Sequence, residues 1–175
     1  MPQTIDPDPE VKAFQLPASD GFPNNPDLPL LLYSGAVQNA EAGEVERTLE
    51  KNGWTGCWRD GVYDFHHFHS NAHEVLVCYA GSARIRFGGP EGTGVEVSAG
   101  DVAVLPAGTS HEKQVSSADF RVVGAYPAGQ TDYDMVRGGQ GRAEQLKSNI
   151  AAVPVPDSDP IYGAEGPLTR HWQQS

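Results

Sequence analysis

The sequence predicts an all-β body, a sandwich or closed barrel, dressed with a few short helices and an extended N-terminal arm. Three observations carry that expectation. Short alternating or apolar segments recur from Trp54 to Tyr126, with glycine-containing breaks between them, as strands joined by tight turns do. Gly (20) and Pro (14) together make up nearly a fifth of the 175 residues, which suits many turns and not a long helical bundle. A hydrophobic fraction of 38% over this length is enough for a single packed core.

Residues 1–29 are rich in Pro, Asp and Asn and read as an arm lying over the surface, with Phe14, Leu16 and Phe22 as anchors. Leu30 to Tyr33 is a short apolar run between Pro29 and Gly35, and so a strand. Residues 39–53 carry acids early, Lys51 late and a closing glycine, the start and stop signals of a helix. Val45 and Leu49 lie four apart there and share the face that packs on the barrel. Strands are then expected over residues 61–69, 74–79, 83–87, 94–97, 102–105 and 120–123. A helix over 140–152 is stopped by the prolines at 154 and 156. The expected organisation is one domain in three parts. Residues 1–53 are an arm, strand and short helix packed on the barrel, 54–127 the barrel core, and 128–175 an extension with one short helix.

A net charge of −11 disfavours phosphate backbones and anionic lipid surfaces, so neither nucleic acid nor membrane is an expected partner. The first residues offer prolines and acids where a secretory signal needs a basic start and an apolar run, which points to the cytoplasm. Cys57 and Cys78 form no C-x-x-C pattern and read as reduced thiols, with Cys78 a small core residue.

Five of the six histidines stand at 66, 67, 69, 73 and 111, four of them within eight positions beside Glu74. On a strand Tyr63, Phe65, His67 and His69 share one face, while Asp64, His66 and Phe68 take the other. Two imidazoles and the Glu74 carboxylate then make a mixed nitrogen and oxygen site suited to Fe(II), Mn, Ni, Cu or Zn; calcium prefers oxygen throughout. His111, at the end of the 100–111 stretch, is the candidate fourth ligand. His66 and His73 should face away, the latter with an orienting role open to it. Arg84 and Arg86 share an outward face opposite Ala83, Ile85 and Phe87. Tyr63, on the metal-facing side, is a candidate proton donor or substrate contact, and Glu74 a candidate proton shuttle.

The first block has the form G-x5-H-x-H-x4-E-x6-G over Gly61, His67, His69, Glu74 and Gly81; the second has G-x5-P-x-G-x2-H over Gly100, Pro106, Gly108 and His111. Chance agreement at nine such positions is on the order of one in a million. Together they resemble the two signature motifs of the cupin superfamily. The resemblance implies a double-stranded β-helix, the RmlC-like jelly-roll cupin barrel, with one divalent transition metal (Fe, Mn, Ni or Zn) on His67, His69, Glu74 and His111. The second motif often ends in Asn four places after its histidine, where this chain has Val115. Residues 68–76, 124–130 and 159–168 also look like YjlB-like bacterial cupins, which extends the resemblance without implying a substrate. Gly81 and Gly100 are expected in turns of positive φ, with the stretch from Pro106 to Gly108 bending the chain that presents His111.

The expected function is that of a metal-dependent enzyme on a small polar organic molecule, a dioxygenase with Fe(II) and an isomerase, lyase or decarboxylase with Mn, Ni or Zn. The competing expectation is a non-catalytic barrel that binds or senses a small ligand or metal. A homodimer is expected.

Overall fold

A computed structural model describes residues 1–173. Eleven strands and three helices follow in order: β1 (Thr4–Ile5), β2 (Glu10–Phe14), β3 (Leu30–Ser34), β4 (Val37–Gln38), α1 (Ala42–Lys51), β5 (Trp54–Asp60), β6 (Glu74–Ala80), β7 (Ser82–Phe87), β8 (Thr93–Ser98), β9 (Val102–Leu105), β10 (His111–Ser116), β11 (Arg121–Pro127), α2 (Ala143–Ala151) and α3 (Pro167–His171). A six-stranded antiparallel sheet of order β2-β3-β9-β6-β11-β5 faces a three-stranded sheet of order β10-β7-β8; β1 and β4 form a small ribbon. This is the jelly-roll β-barrel that the sequence predicts. No helix among the described residues is long and apolar enough to cross a membrane.

Strand parity explains the two cores. Leu76 and Cys78 of β6, with Ala103 and Leu105 of β9 and Val122 of β11, point into the barrel against Ala83, Ile85 and Phe87 of β7. The intervening Val75, Val77, Val102, Val104 and Val123 point outward. They are covered by Val45 and Leu49 of α1 and by Ile161, Leu168 and Trp172 of the extension. A sheet buried on both faces needs apolar residues at every position, so β6 and β9 read as unbroken apolar runs. The same parity turns Glu74, the first residue of β6, inward with Leu76.

Helix α1 forms where expected, capped by the Glu41 carboxylate accepting from the backbone N–H groups of Gly43 and Glu44. Gly81 and Gly100 have φ of 69° and 102°. Cys78 is buried and both cysteines are free.

Several local expectations are corrected. The arm is not merely draped: Glu10–Phe14 pairs with β3 as an edge strand of the large sheet. Residues 61–69 are not a regular strand. They are held antiparallel to β10 by Lys113 N to Tyr63 O, by a reciprocal His67–His111 pair and by Gly108 N to His69 O, and on the other side by a reciprocal Phe68–Val136 pair. The expected strand at 120–123 begins at Arg121 and runs to Pro127. Trp54–Asp60 is a strand paired with β11, although its sequence WTGCWRD hides the alternation. The extension carries two helices, the first starting at Ala143.

The extension is organised by Asp159, which is fully buried. Its carboxylate accepts from the Tyr33 hydroxyl at 2.6 Å and from the backbone N–H groups of Ile161, Tyr162 and Leu168. Burial first, and then the adjacent carboxylate, push the Tyr33 phenol well above its ordinary pKa, so it remains a donor. Trp172 is buried beyond α3; its indole N–H donates to Pro29 O at 2.9 Å, and its ring lies 4.9 Å from that of His73.

Candidate metal centre

His67, His69, Glu74 and His111 all lie inside the barrel, each less than a tenth exposed. His67 and His111 face one another across the irregular pairing between residues 63–69 and β10, their ring centroids 4.0 Å apart. His69 reaches in two residues further on. Phe68 between them points the opposite way, into a cluster with Phe22, Val136 and Leu146.

Each imidazole is oriented by a backbone carbonyl. Nδ1 of His67 faces Phe65 O at 3.0 Å, that of His111 faces Thr109 O at 3.2 Å, and that of His69 faces Asp134 O. A carbonyl only accepts, so Nδ1 carries a proton in each case, and each ring in its neutral form presents the Nε2 lone pair to the interior. His69 Nε2 lies 3.6 Å from Glu74 Oε2, and His111 Nε2 lies 3.3 Å from Glu74 Oε1.

Electrostatics match this geometry. Burial pushes His67 down to about 3, helped by the neighbouring His111, so its lone pair is available. Burial also works on His69, but the Glu74 carboxylate outweighs it and the imidazole is raised. Burial opposes charge on Glu74 too, yet His69 and His111 hold its carboxyl well below the usual range. Glu74 Oε1 is nevertheless buried without a hydrogen-bond partner among the described residues. A buried anionic oxygen left unpaired costs several kcal/mol, on the order of the penalty for an orphaned charge, and a cation relieves it. The donor set therefore fits a divalent metal. Ligand atoms of His69, Glu74 and His111 all lie within 4.8 Å of one another. His67 stands just outside that group, beside His111, with its ring centroid 6.1 Å from that of His69.

The bend that presents His111 is held by two asparagines of the arm that sequence reasoning passed over. Asn24 donates to Pro17 O and Gly88 O and accepts from Ser110 N; Asn25 donates to Ala107 O. Gly108, with φ of 91°, sits so close that a Cβ there would stand 2.6 Å from Asn24 O. His73 faces away from the centre, as expected. Its Nδ1 accepts from Ala107 N at 2.8 Å, tying the same bend to the residue before Glu74. Asp134 has a comparable role for His69, because its carboxylate binds Ser70 N and Ser70 Oγ and so fixes the carbonyl that orients the ring.

A cavity of about 650 Å³ opens onto the centre and is lined by His67, His69, Glu74 and His111 together with Trp58, Tyr63, Tyr126 and Tyr133. Tyr63 stands at its mouth, 54% exposed and stacked on Phe65. The buried phenol of the site is a different one. Ala125 pairs with Val75, so Tyr126 continues the ladder beside Glu74, and its Oη accepts from Trp58 Nε1 at 2.9 Å. Burial and the Glu74 carboxylate raise the Tyr126 pKa far above its ordinary value. Tyr126 also stacks on Tyr133 at 4.3 Å. His66 points outward, within 3.5 Å of Glu112 and edge-on to Phe22.

The fold and the centre define a jelly-roll barrel with an internal histidine and carboxylate cluster, and a family profile for cupins matches residues 61–129. The chain belongs to the cupin family. It is 39% identical over 163 residues to the uncharacterized protein YjlB of Bacillus subtilis strain 168, across 93% of this chain and 97% of that one. Similar solved structures include the epimerase RmlC of Legionella pneumophila (14% identity, 68% of this chain and 72% of that one, TM-score 0.38). Another is procruciferin, an 11S globulin of Brassica napus (18% identity, 63% of this chain, TM-score 0.37), of whose length the match spans 22%.

Proposed function

We propose that this cupin is a metal-dependent enzyme acting on a small polar organic molecule, with one divalent first-row ion (Fe, Mn, Ni or Zn) held by His67, His69, Glu74 and His111. One observation carries the reading. Three imidazoles, each with Nδ1 committed to a carbonyl, gather around a buried carboxylate whose Oε1 has no partner. When bound, the ion supplies Lewis acidity and a template for an oxygen-bearing ligand. The chain's own groups supply the rest. Tyr126 keeps its proton on Oη and donates it as a hydrogen bond toward the cavity, Glu74 is the proton shuttle when its bond to the ion is released, and Tyr63 contacts the substrate at the mouth.

A second reading is a barrel that binds or senses a small ligand without turning it over. The stacked wall of Tyr126 and Tyr133 favours it, since such a wall grips a ligand without offering a base. Metal analysis of protein isolated without added metals tests the common part: about one ion per chain is expected, and His67→Ala or His111→Ala should lower it sharply. Full loading of both variants refutes the site. Product analysis and oxygen uptake with candidate acids then separate the readings, because saturable binding without turnover favours the sensor.

We infer a cytoplasmic homodimer, supported by the two free thiols and by β8, which ends its sheet with one edge unpaired among the described residues. Light scattering should give twice the 18.7 kDa chain mass. A single species at the chain mass across concentration removes the dimer.

A further inference from the structure

The cavity above the centre is chemically graded from floor to lip. Its floor holds Glu74 and the imidazoles, and its lip carries Tyr63, Tyr133 and Met135, three large hydrophobic side chains left exposed. Two cations, Lys113 and Arg121, line the wall as well.

Lys113 follows His111 by two positions on β10, so it projects from the same face about 6–7 Å further along the strand. It is half-buried and makes no ion pair among the described residues. Arg121, exposed at the start of β11 where the cavity meets solvent, donates to the carbonyl of Phe120, which leaves further guanidinium N–H groups for a ligand. Of the other charged groups of this wall, Arg59 is bound through two nitrogens to Glu46, and Asp60 is an exposed carboxylate that accepts from Gly61 N. In a chain where 23 acids outnumber 12 bases, two cations facing a cavity without a carboxylate partner leave room for one brought by a ligand.

We propose that the cavity selects a small organic dianion, with one oxygen-bearing end at the histidine and carboxylate centre and a far carboxylate held by Lys113 and Arg121. This rests on the metal reading of the centre. The separation of about 6–7 Å along β10 corresponds to about five bonds of extended chain, at about 3.8 Å for three bonds, close to the oxygen-to-oxygen reach of a five-carbon diacid.

Glutarate, with its monomethyl ester as a monoanion of the same length, is the probe. Calorimetric titrations use metal-loaded and chelator-treated protein, with metal content measured on the same samples. Glutarate should bind at least about tenfold tighter than the ester, as a charge-assisted pair requires. Lys113→Met and Arg121→Met should each lose about tenfold for glutarate while keeping ester affinity and metal content. Lys113→Arg should keep the preference. Equal binding of the two probes to loaded wild-type protein, or no binding of either, overturns the inference while the metal reading stands. Protein that never takes up metal sinks the metal reading; a glutarate preference lost with Lys113 or Arg121 in those same samples still supports the dianion site, and its absence there overturns it.

Discussion

Glu74 Oε1 and His111 Nε2 face each other at 3.3 Å inside the barrel, and the carboxylate oxygen has no hydrogen-bond partner there. Two electron-rich atoms at that distance in a water-poor interior are held best by a cation between their owners. Metal binding to the folded state alone raises stability by about 2.7 kcal/mol at a hundredfold excess over Kd. At about 2–4 °C per kcal/mol for a chain of this size, chelation should lower Tm by about 5–10 °C. Glu74→Gln should melt at the same temperature with and without metal. Differential scanning calorimetry checks both, and a chelator-insensitive wild-type Tm counts against the centre.

The Asp134 carboxylate reaches the centre only through Ser70, whose N–H and hydroxyl it binds, yet it fixes the carbonyl that aims His69. Asp134→Ala should weaken metal affinity by about tenfold with little change in fold, the usual cost of losing a group that orients a ligand. Competition against a chromophoric chelator measures it. An unchanged affinity shows that His69 needs no such support.

Asp159→Ala strands the Tyr33 hydroxyl and three backbone N–H groups in the interior. The expected loss is about 3–5 kcal/mol, the scale of breaking a buried charged network. Urea unfolding should show it, and an unchanged midpoint counts against the network.

Gly124 abuts the Trp58 indole so closely that a Cβ there would stand 2.2 Å from the ring. Gly124→Ala should cost about 1–3 kcal/mol as an overpacked site. Because Trp58 Nε1 donates to Tyr126 Oη, the displaced indole should also change tryptophan fluorescence and substrate binding. Unaltered emission would mean that the ring yields without leaving Tyr126.

The strands most legible in the sequence were those with a one-sided or fully apolar pattern: β3, β6, β7 and β9 bury what their residues say they bury. Trp54–Asp60 and His111–Ser116 were harder to read because one face lines a polar cavity and the other meets solvent, which erases the alternation. Residues 61–69 kept the inward parity of His67 and His69 but not a regular ladder, being wedged between β10 and Val136. His67, His69, Glu74 and His111 were named from strand parity and from the resemblance of their spacing to the cupin motifs, and the barrel brings the four together in its interior. Tyr126, Asp134 and the pair Asn24 and Asn25 were not, since they reach the site by closure of the barrel from 65 to 82 residues away, and no local motif announces a phenol, a carbonyl or an amide in that role.

Trp172 covers His73, and His73 grips Ala107 in the bend before His111. A protease that cuts within α3 therefore unlatches a cover whose far end is His111 of the proposed metal centre. Digestion rate should fall as metal loading rises, with the loaded protein resisting the nick and the nicked protein leaking its ion. An affinity handle placed beside that indole would carry the same risk.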